Sequence, residues 1–368
     1  MARATSPPFR HPRLSSGRGR GARSNHTGRY EANEREKVDD GWAAPQPSPS
    51  KTQVHVEKAR RIITYNDSLN VGFDRSINPY RGCEHGCIYC FARPTHAYMG
   101  LSPGLDFEKE LFVKPGAGEM LARELSAKRY KVRAIAIGTN TDPYQPIEKQ
   151  FCMMRDILEV LQRFQHPVSI LTKSALIVRD TDLLVSMAER GLARALLSVT
   201  TLDKGLARAM EPRASRPDKR LEAITRLSEA GIPTGVVHGP MIPGLNDHEL
   251  EGLMEAAREA GARFATYTPL RLPQEVAGLF QEWLETFAPN HASKVLRHLR
   301  EMNGGKLYDP YWSREAGPKG PYSQLLKARF AKAWRRLGFV NAPLLRTDLF
   351  KVPAPSGSTL QGDLFSNV

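Results

Sequence analysis

Cys83, Cys87 and Cys90 stand in Pro79-Tyr80-Arg81-Gly82-Cys83-Glu84-His85-Gly86-Cys87-Ile88-Tyr89-Cys90, a C-x3-C-x2-C arrangement inside one loop. Three thiols so close in the chain must face a common centre. Soft thiolates select zinc, copper or an iron–sulfur cluster over a hard cation. Only Cys152 lies outside the loop, so a four-position centre needs a ligand of another kind. His85 or His96 would complete a tetrahedral structural zinc. Cys87-Ile88-Tyr89-Cys90 taken alone reads as a dithiol redox pair, which leaves Cys83 idle. The third reading is a four-iron cluster with one iron left open.

The elements that must position this loop follow a repeating βα pattern from about residue 75 to 290. Short β-rich runs at 72–78, 133–138, 167–172, 194–200, 234–238 and 263–268 alternate with amphipathic helical stretches. Helix 147–165 carries Phe151, Met154, Leu158 and Leu161 on one face; 217–230 carries Leu221, Ile224 and Leu227; 247–260 carries Leu250, Leu253 and Ala257. Such a chain suits a doubly wound sheet or a partial barrel, and both place functional residues at the carboxyl ends of the strands.

C-x3-C-x-aromatic-C after a first strand, with Tyr89 as the aromatic, resembles the signature of the radical S-adenosylmethionine superfamily. The similarity spans roughly residues 72–290, and within the superfamily the chain looks most like the relatives of spore photoproduct lyase. That resemblance implies an α/β fold, a partial (β/α)6 TIM-like barrel. It implies that Cys83, Cys87 and Cys90 hold a [4Fe-4S] cluster, that S-adenosyl-L-methionine chelates the fourth iron, and that a 5′-deoxyadenosyl radical abstracts hydrogen from substrate. A reductant such as flavodoxin or ferredoxin would supply the electron.

By the same resemblance, Gly138, Thr139, Asn140 and Asp142 after the 133–138 strand form a cofactor segment that accepts from the methionyl ammonium. Ser198 and Thr200 meet the ribose, Arg213 pairs with the methionyl carboxylate, and Ile242 packs on adenine. A plain N-cap for helix 147–165 is the structural alternative for the Asp142 segment. Lys173 and Tyr267, both near strand ends, are the candidate catalytic residues facing the barrel mouth. The second-strand end, Gly138-Thr139-Asn140-Thr141, lacks the cysteine hydrogen donor of spore photoproduct lyase. Cys152 reads as a small core residue on the following helix.

The net charge is +14, with Arg3, Arg10, Arg13, Arg18, Arg20, Arg23 and Arg29 preceding the first acidic residue, Glu31. A basic surface favours polyanions such as nucleic acid or acidic lipid without choosing between them, and the family resemblance points to DNA. Residues 1–55 read as a disordered basic arm, 56–290 as the radical core, 291–339 as a helical extension and 340–368 as a flexible tail. In the extension, helix 321–338 carries an apolar stripe (Tyr322, Leu326, Phe330, Trp334, Leu337) and a basic face. Gln361-Gly362-Asp363-Leu364-Phe365 resembles the peptide by which replication and repair proteins dock on a sliding clamp. Gln361, Leu364 and Phe365 would be its anchors, and Asp348-Leu349-Phe350 repeats two of them. With no apolar run of about 18 residues, no membrane span is expected, and a reducing cytoplasm suits the thiols. RNA or protein modification by the same radical, a zinc-stabilised nucleic-acid-binding module and a non-catalytic clamp adaptor are the alternatives.

Overall fold

Strand and helix faces follow the side-chain pattern closely. In a computed structural model, residues 19–31, 51–67, 71–310 and 318–354 are described. The strands are β1 (Gln53–Val56), β2 (Ile63–Tyr65), β3 (Arg75–Ile77), β4 (Tyr80–Arg81), β5 (Glu110–Val113), β6 (Ile135–Ile137), β7 (Val168–Thr172), β8 (Ala193–Ser198), β9 (Thr234–Met241) and β10 (Phe264–Pro269). Six of them, β3, β6, β7, β8, β9 and β10, run parallel in one sheet, with β2 antiparallel at its edge. This is the partial barrel, and it places the six strands within a few residues of the sequence pattern. The small sheet β1-β5-β4 beside the cysteine loop has no counterpart in that pattern, because its strands are only two to four residues long.

Alternation explains how each strand is held. On β7, Val168, Ile170 and Thr172 are buried while Ser169 and Leu171 are less so; Val168 and Ile170 join a core with Leu158, Leu161, Leu184 and Leu197. Each such fully buried aliphatic side chain contributes about 1.5–3 kcal/mol. A second core lies against the cysteine loop, where Ile88 and Tyr89 pack with Met210, Leu270, Phe280 and Trp283. Trp283 Nε1 donates to Ala209 O at 3.0 Å, joining helix Glu275–Phe287 to helix Lys204–Met210.

Three sequence expectations change in the structure. The 147–165 helix breaks at Cys152, whose φ is 51°, into Glu148–Phe151 and Met153–Arg163. Glu148 turns inward to Arg179 Nη2 (2.6 Å) and Tyr80 and accepts from Met154 N at 3.1 Å, so its carboxylate starts the second segment. Cys152 is thereby exposed rather than a small core residue. The tail does not come loose at residue 340. Residues 340–354 cross the amino ends of the strands, with Val340 N on Arg263 O (3.0 Å), Arg346 N on Gly191 O (2.9 Å) and Lys351 N on Phe164 O (3.0 Å). Phe350 and Leu349 pack against the main core, so they are not free clamp anchors. Gln361, Leu364 and Phe365 lie outside the described residues.

Part of the expected N-terminal arm is also held in place: residues 19–31 run over the cysteine loop, and β1 begins at Gln53. Helix Pro321–Arg336 packs its apolar stripe as expected, Phe330 lying 4.8 Å from Tyr267. Part of its basic face is neutralised, since Arg329 pairs with Glu251 at 2.5 Å and Arg336 with Glu255 at 2.6 Å. Among the described residues no helix is long and apolar enough to cross a membrane.

Candidate functional site

The cysteine loop leaves β4 through Gly82 (φ 74°) and turns again at Gly86 (φ 65°). Both conformations favour glycine. A Cβ on Gly82 would lie 2.6 Å from Leu111, 2.8 Å from Phe107 O and 2.9 Å from His96. Backbone bonds then set the turns, Cys83 N to Phe107 O (2.9 Å) and Cys90 N to Cys87 O (3.1 Å). Ile88 N donates to Met210 O at 3.0 Å, fixing the loop to the helix that follows β8.

Buried polar side chains hold the loop from both sides. Arg93, fully buried, donates from Nε to Cys87 O (3.0 Å) and from Nη2 to Gly86 O (3.2 Å), and pairs with the equally buried Glu108 at 2.5 Å. On the other side Gln145 accepts from Glu84 N (2.8 Å) and donates to Gly82 O (3.2 Å), while Thr141 Oγ1 donates to Gly82 O at 2.7 Å. The segment after β6 thus supports the loop backbone directly.

Gly138 has φ 93°, and a Cβ there would sit 2.0 Å from Leu171 O. Thr139 and Asn140 are tied to Asn78: its Nδ2 donates to Thr139 Oγ1 at 3.0 Å, and its Oδ1 accepts from Asn140 N at 2.9 Å. Asp142 is already engaged. It accepts from Thr172 Oγ1 (2.6 Å), Lys173 N (2.7 Å) and Tyr144 N (2.9 Å), with His85 Nδ1 at 3.3 Å. Burial works against its charge, yet His85, Thr172 and Lys173 N outweigh burial and hold its carboxyl at about 2. It therefore acts as a brace between the cysteine loop, β6 and β7.

Ser198 and Thr200 share a face, as their alternation predicts, but both hydroxyls lie on Gly239 O, at 2.9 and 3.1 Å. Thr200 Oγ1 also meets Glu211 Oε1 at 2.5 Å. Glu211 receives the Tyr89 hydroxyl and the Arg220 guanidinium, and Arg220 Nη1 reaches Ser198 O at 2.9 Å. Burial opposes the Glu211 charge; Arg220 and Lys173 more than offset it and keep its carboxyl below the ordinary value.

Lys173 does face this site, its ammonium 5.7 Å from the centre of the Tyr89 ring. Burial lowers its proton affinity, but Cys87 and Glu211 facing it raise it overall. Tyr267 does not: its register beside His238 turns it outward, where it packs on Phe330. Arg213 pairs with Glu84 of the cysteine loop at 3.0 Å, a carboxylate that also accepts from Thr52 Oγ1 at 2.5 Å. Ile242 is 0% exposed within the second core and offers no open face to a ligand. His85 is committed to Asp142, and His96 Nε2 lies 2.9 Å from Glu110 O with its ring edge-on to Phe107.

Cys83 and Cys87 are buried and Cys90 is half-buried. Burial pushes the Cys87 thiol up to about 12, with Lys173 opposing and Glu211 adding; Cys83 is raised by burial, then by Asp142 and its two neighbouring thiols. Thiols in such surroundings become thiolates only when a metal's charge takes the proton's place.

No local pattern announces the Arg93–Glu108 pair, the role of Gln145 or the Glu211–Arg220 pair. Each partner comes from a different element, so no spacing could reveal it.

A pattern described as the Radical SAM superfamily matches residues 77–257. An uncharacterized protein of Mycobacterium tuberculosis is 36% identical over 261 residues, covering 70% of this chain and 73% of the relative. One from Methanocaldococcus jannaschii is 29% identical over 201 residues, covering 54% and 72%. Among solved structures, a point variant of spore photoproduct lyase superposes with a TM-score of 0.57 at 16% identity, over 83% of this chain and 88% of that one. The chain belongs to the radical S-adenosylmethionine superfamily, and its barrel has the fold of spore photoproduct lyase.

Proposed function

We propose that this protein is a radical enzyme in which Cys83, Cys87 and Cys90 hold a [4Fe-4S] cluster beside bound S-adenosylmethionine, and that its substrate is nucleic acid, DNA first. The observation that carries the reading is the placement of three thiols on one braced loop at the carboxyl ends of six parallel strands. A cluster asks each thiol to reach a different iron, where a structural zinc would draw all three and a fourth ligand onto one ion. Of the zinc alternatives, His85 Nδ1 is held by Asp142 and His96 Nε2 by Glu110 O, while His96 Nδ1 has no hydrogen-bond partner among the described residues.

Bound together, cluster and cofactor supply reductive sulfonium cleavage and hydrogen-atom abstraction. The chain's own residues supply position. With Arg213 taken by Glu84, Lys173 is a cation placed to pair with the methionyl carboxylate. Asn78, Thr139 and Asn140 line the β6 side, and Gly138 lets the backbone approach closely. Tyr89, fixed through Glu211 and Thr200, presents its ring toward Lys173. Residues 56–290, joined by 19–31, form this working core.

Support for nucleic acid comes from the +14 charge and from likeness to a spore photoproduct lyase variant solved with bound AdoMet and dinucleoside spore photoproduct (TM-score 0.54, 14% identity, 78% of this chain and 80% of that one). Cys152, exposed beside Arg179, is the one cysteine beyond the loop, so no thiol stands at the barrel mouth to return a hydrogen. The reaction is thus modification, or repair by a different hydrogen route. An electron donor of the flavodoxin or ferredoxin type and a cytoplasmic setting complete the reading.

The test is anaerobic iron–sulfide reconstitution, reduction and assay for 5′-deoxyadenosine, wild type against Cys87→Ala, followed by trials with damaged DNA, intact DNA and RNA. Product in the wild type alone supports the cluster assignment, and stimulation by one nucleic acid identifies the substrate class. Tightly bound zinc without product would overturn the reading.

A further inference from the structure

Four glycines allow a strap of backbone to lie flat on the cysteine loop. A Cβ on Gly21 would fall 1.7 Å from Gly86 O; one on Gly104 would fall 2.2 Å from Ser24 O; one on Gly28 would fall 2.9 Å from Leu101 O; one on Gly86 would fall 2.6 Å from Glu108 Oε2. Residues 19–31 thus run in a track that side chains would block.

The strap is fastened along its length. Gly21 N and Ala22 N donate to the two Glu108 oxygens at 2.9 and 2.7 Å, and Arg20 Nη1 reaches Glu108 O at 2.6 Å. Asn25 exchanges bonds with Asp106, Oδ1 accepting from its N (3.1 Å) and Nδ2 donating to its Oδ1 (2.9 Å). Ser24 Oγ donates to Glu282 at 2.6 Å and Arg29 pairs with Glu275 at 2.7 Å, both on helix Glu275–Phe287. Ala22 is 2% exposed in the apolar cluster that holds Cys87, Ile88 and Tyr89.

Glu108 is the link. The same carboxylate takes the strap's amides and Arg93 Nη2, and Arg93 holds the Gly86 and Cys87 carbonyls. We propose that residues 19–31 form a working wall of the cluster site, positioning Cys87 through Glu108 and Arg93 and keeping water and oxygen from the outer face of the loop. This rests on Cys87 being a cluster ligand.

The test uses the full chain as wild type, Gly21→Val, Glu108→Gln and, as a distant control, Arg336→Ala. In the metal-free chain, trypsin cleavage after Arg20 and Arg23 is expected to rise about tenfold in Gly21→Val and Glu108→Gln, with the control unchanged. After reconstitution, the variants should bind the same iron but show a shifted electron paramagnetic resonance spectrum. Their visible absorbance should bleach in air about fivefold faster, as solvent reaches the cluster. Cleavage and bleaching within about twofold of wild type in Gly21→Val would overturn the proposal. Should Glu108→Gln fail to fold, Gly21→Val, which leaves the Arg93–Glu108 pair in place, decides alone. A wild type that takes up no iron would sink the cluster assignment, and with it this proposal, while trypsin still reports whether the strap is docked.

Discussion

Two segments outside the βα repeat, residues 19–31, polar with three glycines, and residues 340–354, without glycine and rich in Leu, Val and Phe, are held by different physics at opposite ends of the barrel. The first lies against the cysteine loop at the carboxyl ends of the strands and is fixed by backbone amides, carboxylates and close glycine contacts. The second crosses the amino ends and is anchored by Phe350, whose ring lies 5.6 Å from Tyr130, 6.4 Å from Phe164 and 5.5 Å from His166. In barrels of this kind the carboxyl end carries function and the amino end stability. Directional polar contacts can set the shape of a loop, whereas an apolar anchor chiefly contributes burial.

Breaking the polar end should have the largest effect. Arg93→Met leaves Glu108 buried without its cation and frees the Gly86 and Cys87 carbonyls. We expect a loss of about 3–5 kcal/mol in urea unfolding, together with loss of cluster uptake. Phe350→Ala removes a half-buried aromatic anchor, with an expected cost of about 2 kcal/mol. It should leave 5′-deoxyadenosine formation per folded molecule unchanged, a result that would separate the two ends cleanly.

The effect smallest at neutral pH is a titration. His166 lies between the Tyr130 hydroxyl (Nε2, 2.7 Å) and Pro167 O (Nδ1, 3.0 Å). Burial lowers its pKa from 6.5 to about 4, with the Pro167 contact opposing. Between those values the unfolded chain binds the extra proton, so its stability contribution is full above 6.5 and is lost as pH falls toward 4. The slope from this one group is at most about 1.4 kcal/mol per pH unit. His166→Gln should flatten the fall in melting temperature over that range, and Gly21→Val should leave it as in wild type. Equal slopes in wild type and His166→Gln would show that the amino end is not what titrates.

Strand order was legible because apolar alternation and helical periodicity are local, and the barrel strands fall close to their expected places. The cysteine loop was legible because its three thiols are neighbours in the chain. Lys173 could be placed by its position after β7, whereas Tyr267 could not, since one residue of parity turns it to the helical side. Arg213 and Ile242 failed as free ligand groups for a related reason: their chemistry suits a cofactor, but Glu84 and the second core already claim them.

Local spacing and composition are enough to specify the βα repeat, the three thiols and the basic character of the chain. Which polar groups meet is set by the folded chain. Arg93 with Glu108, Gln145 with the loop backbone, Tyr89 with Glu211 and Gly21 with Gly86 are pairs separated by 15 to 122 positions. No local preference specifies such contacts. They form because burying a charged or polar group is tolerable only where its partner is buried with it.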